Sequence, residues 1–84
     1  MINSLMPRGL RNWTYRDVTA FLKEKGFSFY ENRKGSHEAW INKDINKVVE
    51  IDFHREKSFP PRTLETMIRQ SGILKRDWFD WTRK

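Results

Sequence analysis

Residues 27–53, FSFYENRKGSHEAWINKDINKVVEIDF, decide the fold because they contain three sheet-forming stretches separated by two polar turns. Aromatic and β-branched side chains are enriched in strands. They predict three strands, at residues 27–31, 36–41 and 47–53. The intervening turns fall at residues 32–35, which end in Gly35, and at residues 42–46. Because both turns are short, we expect neighbouring strands to run antiparallel.

Helix signals lie on both sides of these strands. Thr14 followed three residues later by Asp17 is typical of a helix N-terminus, and Gly26 and Gly72 are typical of helix ends. Prolines before the second helix are tolerated, because the first helical N–H has no intrahelical partner. The predicted helical segments are residues 15–25, residues 62–71 and a short docked turn at residues 75–81.

The resulting order is α-β-β-β-α with a small C-terminal addition, which is an α+β fold. Two helices bury their apolar stripes against one face of a three-stranded antiparallel sheet, and the other face stays open. This is the element order of double-stranded-RNA-binding domains. The chain of 84 residues is long enough for one domain, and we expect an N-terminal arm at residues 1–13 and a single domain at residues 14–84.

Composition favours a polyanionic partner. The chain carries 17 Lys and Arg against 11 Asp and Glu, for a net charge of +6. Such an excess attracts nucleic acid, although an acidic protein surface would satisfy the same charge. There is no cysteine, which excludes disulfides and thiolate zinc sites. No apolar run is long enough to span a bilayer and no signal peptide is apparent, so we expect a cytoplasmic protein without membrane contact.

Strand alternation predicts which side chains lie on the open face of the sheet. Trp40 is the largest apolar side chain of the second strand, so its side is assigned to the core. The side chains predicted to point to the core are Ser36, Glu38, Trp40, Val49, Ile51 and Phe53. Those predicted to lie on the open face are His37, Ala39, Ile41, Glu50, Asp52 and His54. Both histidines of the chain therefore fall on the open face.

The tripeptide Gly35-Ser36-His37 at the start of the second strand belongs to a longer pattern. The accompanying residues are Gly26-Phe27, Arg33-Lys34, Ile51-Asp52-Phe53-His54, Thr63-Leu64, Met67-Ile68 and Ser71-Gly72-Ile73. In this order they resemble the HicA (YcfA-type) family of bacterial toxin–antitoxin modules over residues 18–73. The chain departs from the usual pattern at four points: one extra residue between Gly26 and Gly35, Asp52 where proline is common, Arg62 where glycine is common, and an arm at residues 1–13 that has no counterpart in the shortest members.

The resemblance implies a specific activity. Members of the family adopt a double-stranded-RNA-binding-like fold and cleave mRNA, and their catalytic histidine corresponds to His37. A HicB-type antitoxin covers the active face, and the module contacts operator DNA only through that antitoxin. No metal or other cofactor is implied.

The chemistry agrees with this assignment. RNA carries its own nucleophile, the 2′-OH, so cleavage needs only proton transfer and charge stabilisation. A histidine titrates near neutrality and suits either proton-transfer role, which makes His37 the catalytic candidate. The expected RNA contacts are Arg33, Lys34, Gly35, Ser36 and His54. We expect His54 to be a phosphate contact or a structural residue rather than a second catalytic group.

Two other functions fit the residues alone. The chain is either a non-catalytic RNA-binding module or an interaction domain for an acidic protein. In both cases His37 is an ordinary strand histidine, and Arg33-Lys34-Gly35 is a solvated turn.

Overall fold

The structure, a computed structural model, describes residues 9–53 and 57–82. Its helices are α1 (Tyr15–Glu24), α2 (Pro61–Ser71) and α3 (Lys75–Trp81). Its strands are β1 (Ser28–Asn32), β2 (His37–Asn42) and β3 (Lys47–Asp52), in the order β1-β2-β3 with antiparallel pairing. The predicted α+β class and double-stranded-RNA-binding-like order are confirmed, and each element begins and ends within one residue of its predicted bounds. In the described ranges, no helix combines the length and apolar character needed to cross a membrane.

Helix α1 begins at the predicted cap. The backbone N–H of Asp17 donates to Thr14 Oγ1 (3.2 Å), and the N–H of Thr14 donates to Asp17 Oδ2 (2.9 Å). This reciprocal capping box satisfies two N–H groups that the helix itself leaves without partners. At the other end Gly26 adopts φ 93°, a left-handed conformation that turns the chain into β1.

Aromatic side chains from both ends of the chain build the core. The rings of Phe21 and Trp78 lie 4.3 Å apart between centroids, and those of Trp13 and Trp78 lie 5.4 Å apart. The predicted docking of the C-terminal turn is confirmed, because Trp78 is fully buried. The placement of Trp13 in a loose arm was wrong, since its side chain is also fully buried and its carbonyl accepts from the N–H of Phe59 (2.7 Å). Residues 1–8 of the predicted arm lie outside the described residues.

The sheet packs on the helices through Trp40, Val49 and Ile51, as alternation predicts. Phe53 was wrongly predicted to point into the core. It follows the end of β3, is 38% exposed, and makes an edge-to-face contact with Tyr15 at 4.8 Å between centroids. The alternation does not extend past the ends of the strands, where the backbone leaves its extended conformation.

Ala39 lies on the face opposite the helices, as predicted, but its side chain is fully buried. Its cross-strand partners are Glu31 on β1 and Glu50 on β3. The guanidinium of Arg33 pairs with both carboxylates, at 3.0 Å and 3.6 Å. The ion pairs of Arg33 therefore connect the two strands that flank Ala39.

Strand β1 contains a bulge at Tyr30. Phe29 pairs with Trp40 and Glu31 pairs with Ala39, which leaves Tyr30 without a cross-strand partner in the register. A bulge accommodates one additional residue while the pairing resumes on either side. The bulge therefore adds one residue within β1, before the turn that leads to β2.

Glu38 lies on the core side of β2, where a carboxylate needs partners. The hydroxyl of Tyr15 donates to Glu38 Oε1 (2.7 Å), and Trp40 Nε1 donates to the same oxygen (2.9 Å). Burial, followed by the hydrogen bond to Glu38 and its negative charge, raises the pKa of Tyr15 to about 12. This network joins α1 to the strand that carries His37.

Candidate active site

His37 is the first residue of β2, and its side chain is exposed. Both backbone groups of His37 are hydrogen-bonded to the preceding turn. Its carbonyl accepts from the N–H of Arg33 (2.7 Å), and its N–H donates to the carbonyl of Lys34 (3.4 Å). Gly35 makes this turn possible with φ 68°. The glycine before His37 thus fixes where β2 starts and which face the histidine occupies.

A cleft of about 360 Å³ lies between the end of the sheet and helix α2. His37, Glu50 and Asp52 line its sheet side. The backbone N–H of Glu50, on the outer strand of the sheet, donates to Gln70 Oε1 (2.9 Å). This bond attaches α2 to the edge of β3, so the helix forms the opposite wall of the cleft.

Helix α2 lines the cleft with four polar residues and one apolar residue, Met67. Its lining residues are Arg62, Thr63, Thr66, Met67 and Gln70. The four polar members were missed from the sequence, although their spacing at one-turn intervals marks them as the side of α2 away from its buried stripe. The spacing alone did not indicate that this side of the helix lies next to His37, because that depends on how α2 crosses the sheet.

Asp52 is the cross-strand partner of His37. The two residues lie on the same face of the sheet, as alternation predicts, and Asp52 is only partly exposed. Ser36 Oγ donates to Asp52 Oδ1. The prediction that Ser36 points to the core was wrong, because Ser36 lies in the turn before β2 and its exposed side chain bonds to the opposite face.

The structure brings most of the predicted RNA contacts near His37. Arg33, Lys34, Gly35 and Ser36 form the turn that precedes it, and all four are exposed. Arg33 is directed to the carboxylates of Glu31 and Glu50, as described above, while Lys34 is exposed at the tip of the turn. His54 lies outside the described residues.

No group of three or more His, Cys, Asp or Glu side chains that could hold a metal ion occurs within residues 9–53 and 57–82. The polar side chains at the cleft are instead two carboxylates, a guanidinium, hydroxyls, an amide and one imidazole. The groups available at this place are therefore suited to proton transfer and to hydrogen bonding with a phosphate or a base.

Comparison with known proteins supports a family assignment. The family described as the HicA toxin of bacterial toxin–antitoxin modules matches residues 15–73, from the first residue of α1 to just beyond α2. The match includes Gly35-Ser36-His37 and both walls of the cleft. No curated protein matches the chain. HicA toxins pair with HicB antitoxins. Since the match covers more than half of the sequence, the chain belongs to the HicA family of bacterial toxins.

Proposed function

We propose that this chain is a metal-independent mRNA endoribonuclease that uses His37 as its acid–base group. The observation that carries the proposal is the exposed imidazole of His37, which lines the cleft and belongs to the Gly-Ser-His tripeptide within the residues that the family matches. A HicB-type antitoxin is the expected inhibitor, and contact with operator DNA is expected only through that antitoxin. Such a toxin acts on cytoplasmic mRNA.

The proposed reaction is an internal transfer of the phosphodiester. The 2′-oxygen of one nucleotide attacks the adjacent phosphorus, and the bond from phosphorus to the 5′-oxygen of the next nucleotide breaks. The proton leaves the 2′-OH, and a proton is delivered to the departing 5′-oxygen. His37 carries out one of these transfers, which yields fragments with a 2′,3′-cyclic phosphate and a 5′-hydroxyl.

Positive charge around His37 supports this proposal. Lys34 in the turn before His37 and Arg62, which lines the cleft on α2, are both exposed. Arg33 is paired with two carboxylates, but exposed ion pairs are worth at most about 1 kcal/mol, so a phosphate can displace them at small cost. A guanidinium binds a phosphate with two parallel hydrogen bonds, which offsets charge that develops in the transition state.

The shape of the site favours single-stranded RNA. The cleft is open to solvent along the edge of the sheet, and α2 contributes a row of hydroxyl and amide side chains. Such groups can reach the Watson–Crick edges of the bases only where the strand is unpaired. A single strand also has the freedom to bring its 2′-oxygen into line with the departing 5′-oxygen.

Incubation of the purified chain with mRNA in EDTA tests the proposal, with His37→Ala as the key variant. Ile45→Ala is the matched control, because it truncates an exposed side chain in the β2–β3 turn. We expect cleavage by the native chain and by Ile45→Ala, and none by His37→Ala. If all three bind RNA equally and none cuts it, the non-catalytic RNA-binding function replaces this one. If none binds RNA and an acidic protein binds in the presence of excess RNA, the interaction-domain function does.

A further inference from the structure

We propose that Asp52 is a positioning residue for His37, and this inference rests on the proposed function. Asp52 is the direct partner of His37 across β2 and β3, and both side chains line the same cleft. The proposed role is to orient the imidazole and to stabilise its protonated form during proton transfer. Asp52 occupies the position at which the resemblance to the family leads one to expect proline.

The hydrogen bonding of the sheet defines how close the two side chains are. The N–H of Phe53 donates to the carbonyl of Ser36 (2.9 Å), and these residues flank the pair of His37 and Asp52. A pair flanked in this way is of the non-hydrogen-bonded kind, in which the Cα atoms are about 4.5 Å apart and the side chains are close. The register therefore places Asp52 opposite His37 on the same face of the sheet, so the two side chains can meet without any rearrangement of the backbone.

The carboxylate of Asp52 is itself held in place. Ser36 Oγ donates to Oδ1, so the residue immediately before His37 restrains the acid opposite it. The other acid of the sheet wall, Glu50, lies two residues further along β3 and pairs with Arg33. Of the two acidic residues that line the cleft, Asp52 is the one that lies directly across from His37 in the strand register.

An orienting carboxylate acts on a catalytic imidazole in two ways. It restricts the ring to one orientation, and it favours the imidazolium that forms when the ring accepts a proton. Among the residues that the structure describes, the other charged side chains that line the cleft with His37 are Glu50 from β3 and Arg62 from α2, and Arg33 lies in the preceding turn. They are unchanged when Asp52 alone is replaced, so the effect of the one carboxylate can be isolated.

The first test is the kinetics of RNA cleavage by Asp52→Asn, which removes the charge and keeps the shape. We expect kcat to fall by about tenfold or more while KM changes by less than about threefold, because the orientation and charge act on the reacting group. The limb of the pH–rate profile that reports the catalytic group should move to lower pH, because the carboxylate that favours the imidazolium is gone. Asp44→Asn removes the same charge from the exposed β2–β3 turn and should leave kcat and the profile unchanged.

Ser36→Ala provides a second variant that leaves the carboxylate in place. Because it removes the hydroxyl that holds Oδ1, we expect kcat to fall by less than it does for Asp52→Asn, with no change in the pH–rate profile. A fall in kcat for Asp52→Asn that is matched by Asp44→Asn would overturn the proposal, because it would be an effect of net charge.

A titration of the histidine resonances by NMR decides the question without RNA. The chain has two histidines, and the resonance absent from His37→Ala identifies His37. We expect this resonance to titrate at lower pH in Asp52→Asn than in the native chain. Identical titration and identical kinetics in the two proteins would overturn the role of Asp52 while cleavage by His37 stands. If the native chain fails to cut RNA, the proposed function fails, and the titration still shows whether Asp52 acts on His37.

Discussion

Replacing Tyr15 with phenylalanine removes a single hydroxyl from the contact between α1 and β2. That hydroxyl donates to Glu38 Oε1 at 2.7 Å, in a partly buried position on the core side of the sheet. A hydrogen bond to a charged group contributes about 1.5–3 kcal/mol to stability. Trp40 Nε1 still donates to Glu38 in the variant, so the carboxylate keeps one partner. We therefore expect the free energy of unfolding to fall by about 1.5–2.5 kcal/mol at pH 7.

The same hydroxyl gives the stability a defined dependence on alkaline pH. Folding raises the pKa of Tyr15 from 10.0 to about 12, so the folded state favours the protonated phenol. This contribution is fully present below pH 10 and is lost as the pH rises through 12. Two pKa units correspond to at most about 3 kcal/mol, and we expect about 1–2 kcal/mol because the side chain is partly exposed.

Urea denaturation followed by tryptophan fluorescence measures both effects. Tyr30→Phe is the matched control, because Tyr30 is 56% exposed at the bulge of β1, and it should change the free energy of unfolding by less than about 0.5 kcal/mol. The advantage of the native chain over Tyr15→Phe should shrink between pH 10 and 12. The reasoning is refuted if Tyr15→Phe costs no more than Tyr30→Phe at pH 7, or if the difference between native and variant is independent of pH.

Two further substitutions test the core and the turn before β2. Ser71→Ala removes the oxygen that accepts from Trp78 Nε1 (3.3 Å) and from the N–H of Ile73 (3.0 Å), and should lower the free energy of unfolding by about 1–3 kcal/mol. If urea denaturation gives Ser71→Ala the same free energy of unfolding as the native chain, these hydrogen bonds do not stabilise the core. Arg33→Gln should raise KM for RNA severalfold while changing the free energy of unfolding by less than about 1 kcal/mol, since its ion pairs are exposed. An unchanged KM would argue against a phosphate contact at Arg33.

The order of helices and strands could be predicted because it is encoded locally. Thr14 with Asp17 determines where α1 begins, and the positive φ of Gly26, Gly35 and Gly72 requires glycine at the ends of helices and in the first turn. Alternation counted from Trp40 then places His37, three residues earlier on β2, on the opposite face of the sheet. Each of these inferences needs only a few adjacent residues, so it can be made correctly without knowledge of the tertiary structure.

The features that were missed depend on contacts between distant segments. Trp13 precedes the first helical signal, and only the packing of Trp78 from the other end of the chain makes it part of the core. Ala39 is fully buried on the face opposite the helices, between two strands whose Glu31 and Glu50 both pair with Arg33. The polar wall of the cleft depends on Gln70 reaching the edge of β3, and the spacing of residues within α2 contains no information about that contact.

The family assignment identifies the class of protein, whereas the surroundings of His37 bear on the chemical step. The match over residues 15–73 establishes a HicA toxin, and the cleft provides groups suited to proton transfer. The proposed step, attack by the 2′-oxygen assisted by His37, determines the chemistry of the ends that cleavage leaves. Those ends are independent of which RNA sequences the toxin prefers.

The most direct test is therefore an analysis of the fragment ends after incubation of mRNA with the purified chain in EDTA. The account predicts fragments with 2′,3′-cyclic phosphate and 5′-hydroxyl ends from the native chain, and no fragments from His37→Ala. Fragments with 5′-phosphate ends, or cleavage by His37→Ala at the native rate, would contradict it.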